Sequence, residues 1–321
     1  MIRFLLACIA IVAVSNGVAR AQDYPKKPVH MIVPFSAGGN VDVTARIVAE
    51  QLAQTLHQPF VVDNKPGAGS MIAGDFVARA AADGYTLYVG SNSGLILSPL
   101  IYAKPLYDPA TAFTGVSSFS FTPTLLVAGP SLKVATIKEF VDNAKQKPDA
   151  ITVTVDTAGS INHVASVLLQ SVVGAKWRNV HYRGNVEGVT DMLGGNVDAA
   201  ITQITAISEF IREGKLKPLA VLGKEKVPTL PNVPTVAEAG YRPIEASAFN
   251  GLVAPAKTPK PVVQLLSEHV RQALAKPEVQ TKLQNLGIAG RGSTPEEFDA
   301  FLREQLATWT PVVKAAHITV D

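Results

Sequence analysis

Val33-Pro34-Phe35-Ser36-Ala37-Gly38-Gly39-Asn40-Val41-Asp42 is the stretch of this chain whose residue types point most directly to chemistry. Before it, Val29 to Val33 reads as a short buried strand. After it, Asp42 to His57 reads as a helix, with Val43, Ile47, Val48 and Leu52 recurring near the 3.6-residue period. The small residues between them leave backbone N–H groups uncovered at the positive end of a helix macrodipole. Such a junction is suited to an anion. Asp42 reads either as a cap for the helix or as an acceptor for a donor on a ligand.

Other segments add donors of the same kind. Ser91 and Asn92 follow the strand candidate Thr86–Val89, and Thr202 and Gln203 end another strand candidate. Ligands of open α/β sheets sit at such carboxyl ends. Thr157, Ala158, Gly159 and Ser160 form a second strand-to-helix turn of small residues, followed by His163. Neither this turn nor Phe35–Asp42 contains Lys or Arg, so an anion would rest on backbone and hydroxyl donors. Each feature also has a structural reading. The turns can simply be tight turns, His163 a core or capping histidine, and Phe249 a core aromatic.

Catalytic readings fail on their own residues. Gly90-Ser91-Asn92-Ser93-Gly94 has the outline of a nucleophile elbow, but Asn92 occupies the nucleophile position. Gly67-Ala68-Gly69 lacks both the dinucleotide spacing and the Gly-Lys-Ser/Thr ending. His30, His57, His163, His181, His269 and His317 show no close metal-ligand spacing. The expectation is no catalytic residue, no metal and no cofactor.

The elements that must position these residues alternate between strand and helix. Further strand candidates are Phe60–Val62, Leu125–Ala128, Ile151–Val155, Ala199–Thr202 and Leu219–Leu222. Helix candidates are Met71–Ala82, Ile137–Lys145, Val164–Val173, Val186–Leu193 and Ile204–Glu213. This reads as parallel sheets in βαβ units, an α/β protein of two domains. From Pro261 to Ala316 the pattern is almost all helical, with Pro277, Pro295 and Pro311 expected near helix starts. Such a tail would return to cover the first domain.

The N-terminus sets the compartment. Arg3, the apolar run Phe4 to Val14 and the Ala19-Arg20-Ala21 site make residues 1–21 a cleaved secretory signal peptide. Leu5-Leu6-Ala7-Cys8 loosely resembles a lipoprotein box but stands too close to the start. Cleavage removes Cys8, the single cysteine, so no thiol or disulfide chemistry remains. It also removes Arg3 and Arg20, which lowers the formal charge from +3 to +1. A near-neutral chain without a basic stripe is not expected to bind nucleic acid.

Several ordered blocks resemble one family. They are Pro34–Gly39 with Asp42, Val62–Gly69, Asp83–Leu87, His181–Gly184, Leu193–Asp198 and Pro231–Gly240. Together they make the chain, from Tyr24 to Asp321, similar to the periplasmic solute-binding proteins of the tripartite tricarboxylate transporter type, the Bug or TctC family. The resemblance implies a two-lobed periplasmic-binding-protein (flytrap) fold with mixed sheets flanked by helices. Lobe one would comprise 22–123 plus 249–321, and lobe two 124–248. It implies no enzyme but capture of a small organic carboxylate between the lobes, for delivery to membrane transporter subunits, by a monomer in the periplasm. The expected ligand-binding set is Phe35, Ser36, Ala37, Gly38, Gly39, Asn40, Asp42, Ser91, Asn92, Thr157, Ala158, Gly159, Ser160, His163, Thr202, Gln203 and Phe249. A sensor-kinase partner would demand the same sequence, and a secreted α/β hydrolase is the more distant alternative. The chain departs from the family pattern at Ser70, over Asp156–His163 and at Phe249-Asn250-Gly251. These departures leave the ligand open among aliphatic dicarboxylate, aromatic acid, amino acid and amide.

Overall fold

The structure is a computed structural model that describes residues 24–315, 318 and 319. The expected signal peptide, Cys8, and Ala316 at the end of the helical tail lie outside the described residues.

The chain begins with β1 (Val29–Val33), α1 (Asn40–Leu56), β2 (Phe60–Asn64), α2 (Met71–Ala78) and β3 (Thr86–Ser91). A π turn, Ser93–Leu97, leads into α3 (Ser98–Ile101) and α4 (Pro109–Ala112). Then follow β4 (Phe113–Thr122), β5 (Thr124–Ala128), α5 (Ile137–Gln146), β6 (Thr152–Val155), α6 (Ile161–Val173) and β7 (Arg178–His181). Next come α7 (Asn185–Leu193), β8 (Ala199–Gln203), α8 (Ser208–Arg212), β9 (Lys217–Val221) and β10 (Ala248–Pro255). The described chain closes with α9 (Lys260–Ala275), α10 (Pro277–Asn285), β11 (Ala289–Gly290) and α11 (Pro295–Ala315).

Two sheets organise these elements. One has the strand order β11-β4-β10-β3-β1-β2 and the other β7-β6-β8-β5-β9. The chain passes between them twice, at Pro123 between β4 and β5 and over the segment joining β9 to β10. Pro123 has no N–H to donate and so ends the first ladder before the second begins.

Both sheets are covered on two faces, which is why β5, β8 and β10 are buried throughout. In α1, Val41, Ala45, Val48 and Leu52 share one stripe and are buried with β1 residues Met31 and Val33 and with Leu266 and Val270 of α9. Ile32 and Tyr88 face the other way, toward Met71, Val77 and Phe298. Phe140, Val164 and Leu169 cover one face of the second sheet, and Met192, Ile204 and Ile207 the other.

The sheets are mixed, as the family resemblance implies, which corrects the all-parallel reading of the strand and helix pattern. β10 runs antiparallel to both β3 and β4, and β5 antiparallel to both β8 and β9. Strands β4, β7 and β10 carry no clean period-two signal and lie outside the sequence-based strand set. Ile204–Glu213 is a 3-10 turn, Ile204–Ala206, and then the short α8. The second helix stops at Ala78 rather than Ala82. Pro311 lies inside α11 rather than near a helix start.

Candidate functional site

Gly39 is the N-cap of α1 and has no side chain to offer, so no side chain caps this helix. The first intrahelical bond is Val43 N–H to the Gly39 carbonyl, 2.9 Å. The N–H groups of Asn40, Val41 and Asp42 therefore have no partner within the helix. Phe35, Ser36, Gly39, Asn40 and Val41 line a cleft between the two sheets. The Asn40 carbonyl oxygen of the side chain accepts a 3.0 Å hydrogen bond from Thr122 Oγ1, which ties the helix start to the end of β4.

Asp42 does not reach the cleft. Its side chain is 3% exposed. It accepts hydrogen bonds from Gly38 N–H (2.8 Å), from Asn64 Nδ2 (3.0 Å) and from Arg46 Nε (3.0 Å). Burial alone would raise its pKa. The bonds from Arg46, Gly38 and Asn64, with the Arg46 charge, outweigh burial and hold the carboxyl below its ordinary value. Asn64 also donates to the Phe35 carbonyl, 2.9 Å. Asp42 is thus a lock on the loop. Gly38 has φ +83°, a conformation that favours glycine, whereas Gly39 has φ −77° and needs no such freedom.

Across the cleft, the uncapped helix start is that of α7. Its N-cap is Gly184, again without a side-chain cap, and Gly184, Asn185 and Val186 line the cleft. The expected counterpart, Thr157–Ser160, is already occupied. Ser160 Oγ caps α6 by accepting from His163 N–H, and Gly159 N–H donates to His163 Nδ1 (3.2 Å). A Cβ at Gly159 would lie 2.7 Å from Ser98 Oγ and from Ile101 Cδ1, so this turn packs against α3 of the first unit. Gly184, immediately before the helical apolar period Val186–Leu193, is the local sequence signal of this second uncapped start.

Three amides behind α7 form a closed ring. Asn162 Nδ2 donates to Asn185 Oδ1 (2.9 Å), Asn185 Nδ2 to Gln203 Oε1 (2.6 Å) and Gln203 Nε2 to Asn162 Oδ1 (2.5 Å). The ring fixes the amide orientations; Gln203 Nε2 also donates to Thr124 Oγ1 (3.4 Å), so of these two cleft-lining amides only Asn185 keeps a further N–H. Asn92 also lines the cleft. It accepts from Phe249 N–H (2.8 Å) and donates to the Ser247 carbonyl (3.3 Å), clamping the returning crossover. Phe249 itself packs among Phe298 and Phe301, with ring centroids 6.4 and 4.9 Å away, on the core side.

The cleft wall therefore contains Phe35, Ser36, Gly39, Asn40, Ser91, Asn92 and Gln203 from the expected set. Ala37, Gly38, Asp42, Thr157, Ala158, Gly159, Ser160, His163, Thr202 and Phe249 lie outside it. His163 is neutral: burial, with the neighbouring His181, lowers its pKa to about 4. Asp156, Ser93, Asn185 and Asn250 are wall residues that the expected set lacked. Among the described residues, no Lys or Arg lines the cleft.

The lobes meet over this site. Ser36 Oγ donates to Glu187 Oε1 across the gap at 2.7 Å. The closed arrangement leaves a cavity of about 30 Å³, enough for a water or two. Entry of any organic molecule requires the lobes to part. An apolar hollow of about 620 Å³ beside α11, lined by Leu95, Tyr107, Phe113 and Leu302, touches neither helix start.

Two sheet-bearing units joined by two crossovers, with a polar cleft between them, define a two-lobed solute-binding protein. Residues 44–318 match the family model described as "Tripartite tricarboxylate transporter family receptor", and the chain belongs to that family. Among its relatives is Protein BugT of Bordetella pertussis, 36% identical over 97% of this chain and 96% of that protein. Among solved structures, an R. palustris protein with adipate is 32% identical with a TM-score of 0.90, covering 92% of this chain and 99% of that one. The periplasmic binding protein BugD gives 34% identity and a TM-score of 0.88 over 92% and 99%. MatC from Rhodopseudomonas palustris with bound malate gives 32% and 0.86 over 90% and 100%. The chain is a periplasmic solute-binding receptor and not an enzyme, and receptors of this family work with tripartite transporter membrane subunits.

Proposed function

We propose that this receptor captures a small organic carboxylate in the interlobe cleft. One carboxylate rests on the free N–H groups at the start of α1, with Ser36 and Asn40 beside it. The far end of the ligand meets the lobe-two wall, where Asp156, Gly184, Asn185 and Gln203 line the cleft. The carrying observation is the uncapped start of α1, opening into a polar cleft without a basic side chain. A carboxylate there replaces three missing backbone acceptors and lies at the positive end of the helix. Relatives solved with adipate and malate support the carboxylate class. The reading takes 22–123 plus 249–321 as one lobe and 124–248 as the other, supported by the membership of the two sheets. It takes the mature protein as a monomer released by cleavage after Ala21.

Closure follows ligand only if the ligand binds the closed form more tightly than the open one. The test is a thermal-shift screen over aliphatic dicarboxylates, aromatic acids and amino acids, with calorimetry on each hit. A ligand at 100 times its dissociation constant adds about 2.7 kcal/mol of stability. Gly39→Val should then abolish binding by a hit, because a branched side chain would stand between the anion and the N–H groups. A screen without any shift, or a Gly39→Val protein that binds like the parent, refutes the reading.

A further inference from the structure

Among the cleft residues, three buried side chains carry an oxygen without a partner: Ser91 Oγ, a hydroxyl that can donate or accept, and the acceptors Asp156 Oδ1 and Asn250 Oδ1. Asp156 is 7% exposed and Asn250 is fully buried. Asp156 Oδ1 and Asn250 Oδ1 accept no hydrogen bond. The other groups on these side chains are engaged: Asn250 Nδ2 donates to Ser120 Oγ (3.2 Å), and Ser160 bonds the Asp156 carboxyl. A buried acceptor left unpaired is destabilising, because its lost hydration is not replaced. Two of them in one cleft call for a ligand that donates. A carboxylate cannot, because it only accepts.

Charge argues the same way. The first carboxylate at α1 already places one negative charge in a cleft without Lys or Arg, and Glu187 stands at its rim. A second carboxylate would bring a further negative charge beside Asp156. A cationic nitrogen would instead neutralise one.

We propose that Asp156 is a specificity-determining residue that, with Asn250, receives the cationic nitrogen of the ligand, so that the receptor prefers amino carboxylates to dicarboxylates. The inference rests on the carboxylate site at α1 and adds the chemistry of the other end. In the free protein, burial raises the Asp156 pKa to about 7. The groups around it are His181 on β7, whose Nδ1 meets the Asp156 carbonyl just after β6 (3.1 Å), His163 on α6 against His181, and Glu187 on α7. Arg183, just before α7, is exposed, and lobe one presents only neutral wall residues. An ammonium group therefore binds the ionised carboxyl and displaces a proton at lower pH.

Calorimetry with matched probes tests this: β-alanine, γ-aminobutyrate and δ-aminovalerate against succinate, glutarate and adipate, with L-alanine and L-aspartate added. The amino carboxylates should bind more tightly than their dicarboxylate partners. Their affinity should rise about tenfold per pH unit from pH 5 toward pH 7 and then level, with proton release measured in two buffers. Asp156→Asn should weaken them about tenfold to a hundredfold and remove the pH dependence, while raising dicarboxylate affinity because the repelling carboxyl is gone. Circular dichroism checks that the variant folds. Dicarboxylate binding without amino carboxylate binding overturns this inference and leaves the carboxylate site standing. Amino carboxylate binding that Asp156→Asn and pH both leave unchanged also overturns it. Failure of every acid to bind overturns both readings.

Discussion

Replacing Asp42 by alanine probes the lock on the α1 loop without touching the cleft wall. The carboxylate is buried and receives three kinds of donor: Gly38 N–H at 2.8 Å, Asn64 Nδ2 at 3.0 Å and Arg46 at 2.9 Å. Bonds to a charged acceptor contribute about 1.5–3 kcal/mol each when buried. The Arg46 side chain is 50% exposed, so its share is screened and small. Removal also leaves Gly38 N–H and Asn64 without their acceptor. The expected loss is about 3–4 kcal/mol, read by guanidinium unfolding followed by circular dichroism. Asp42→Asn keeps one acceptor oxygen and should lose about half of that. The Asp42 pKa is lower in the folded protein than in the unfolded chain. Its stabilisation is therefore complete above the ordinary carboxylate range and fades as pH falls through the folded value. The gap between parent and Asp42→Asn should be widest near neutrality and narrow below about pH 4. An Asp42→Ala protein within about 0.5 kcal/mol of the parent at all pH values refutes this reasoning.

Asn92→Ala should cost about 1–3 kcal/mol in unfolding experiments, because it leaves the buried Phe249 N–H unpaired; a loss below that range would mean the crossover is held elsewhere. Glu187→Gln weakens the Ser36 contact across the cleft and should enlarge the radius of gyration of the ligand-free protein in small-angle scattering; unchanged curves would show that this bond does not hold the lobes. His163, with its pKa lowered to about 4, favours the folded state only while neutral, so stability should fall as pH drops from about 6.5 toward 4. In His163→Gln that slope should flatten, and NMR titration of the parent should find the His163 imidazole protonating well below the ordinary histidine range.

Much of this protein is written locally. The stripe Val41, Ala45, Val48 and Leu52 specifies α1, and the glycines before it specify a loop with free N–H groups. Those features need only the helical period and the lack of a capping side chain, both properties of neighbouring residues. The same locality makes β5 and β8 readable as apolar runs. Strand β10 was not readable, because Gly251 interrupts it and its environment is supplied by distant residues. A Cβ at Gly251 would stand 2.2 Å from Phe298 Cζ, a contact made across the sheet by α11. Nor does local pattern fix strand direction: β10 runs antiparallel to β3 because the chain has first built the other lobe.

The site divides in the same way. The sequence by itself determined the anion-ready start of α1, since small residues and a helix period at one point suffice. Which strand-to-helix turn faces it was decided only by the tertiary structure. Two similar turns were available in lobe two. His163 folds back on Gly159, Ser160 caps α6, and the turn packs on Ser98 and Ile101. That leaves α7, carried by Gly184 and held by the Asn162–Asn185–Gln203 ring, to face the cleft. The ring joins residues from three elements, and no spacing along the chain encodes their meeting. Burial of Asp156 is likewise a property of the tertiary structure, because desolvation depends on what surrounds a carboxyl in space and not on its neighbours in sequence.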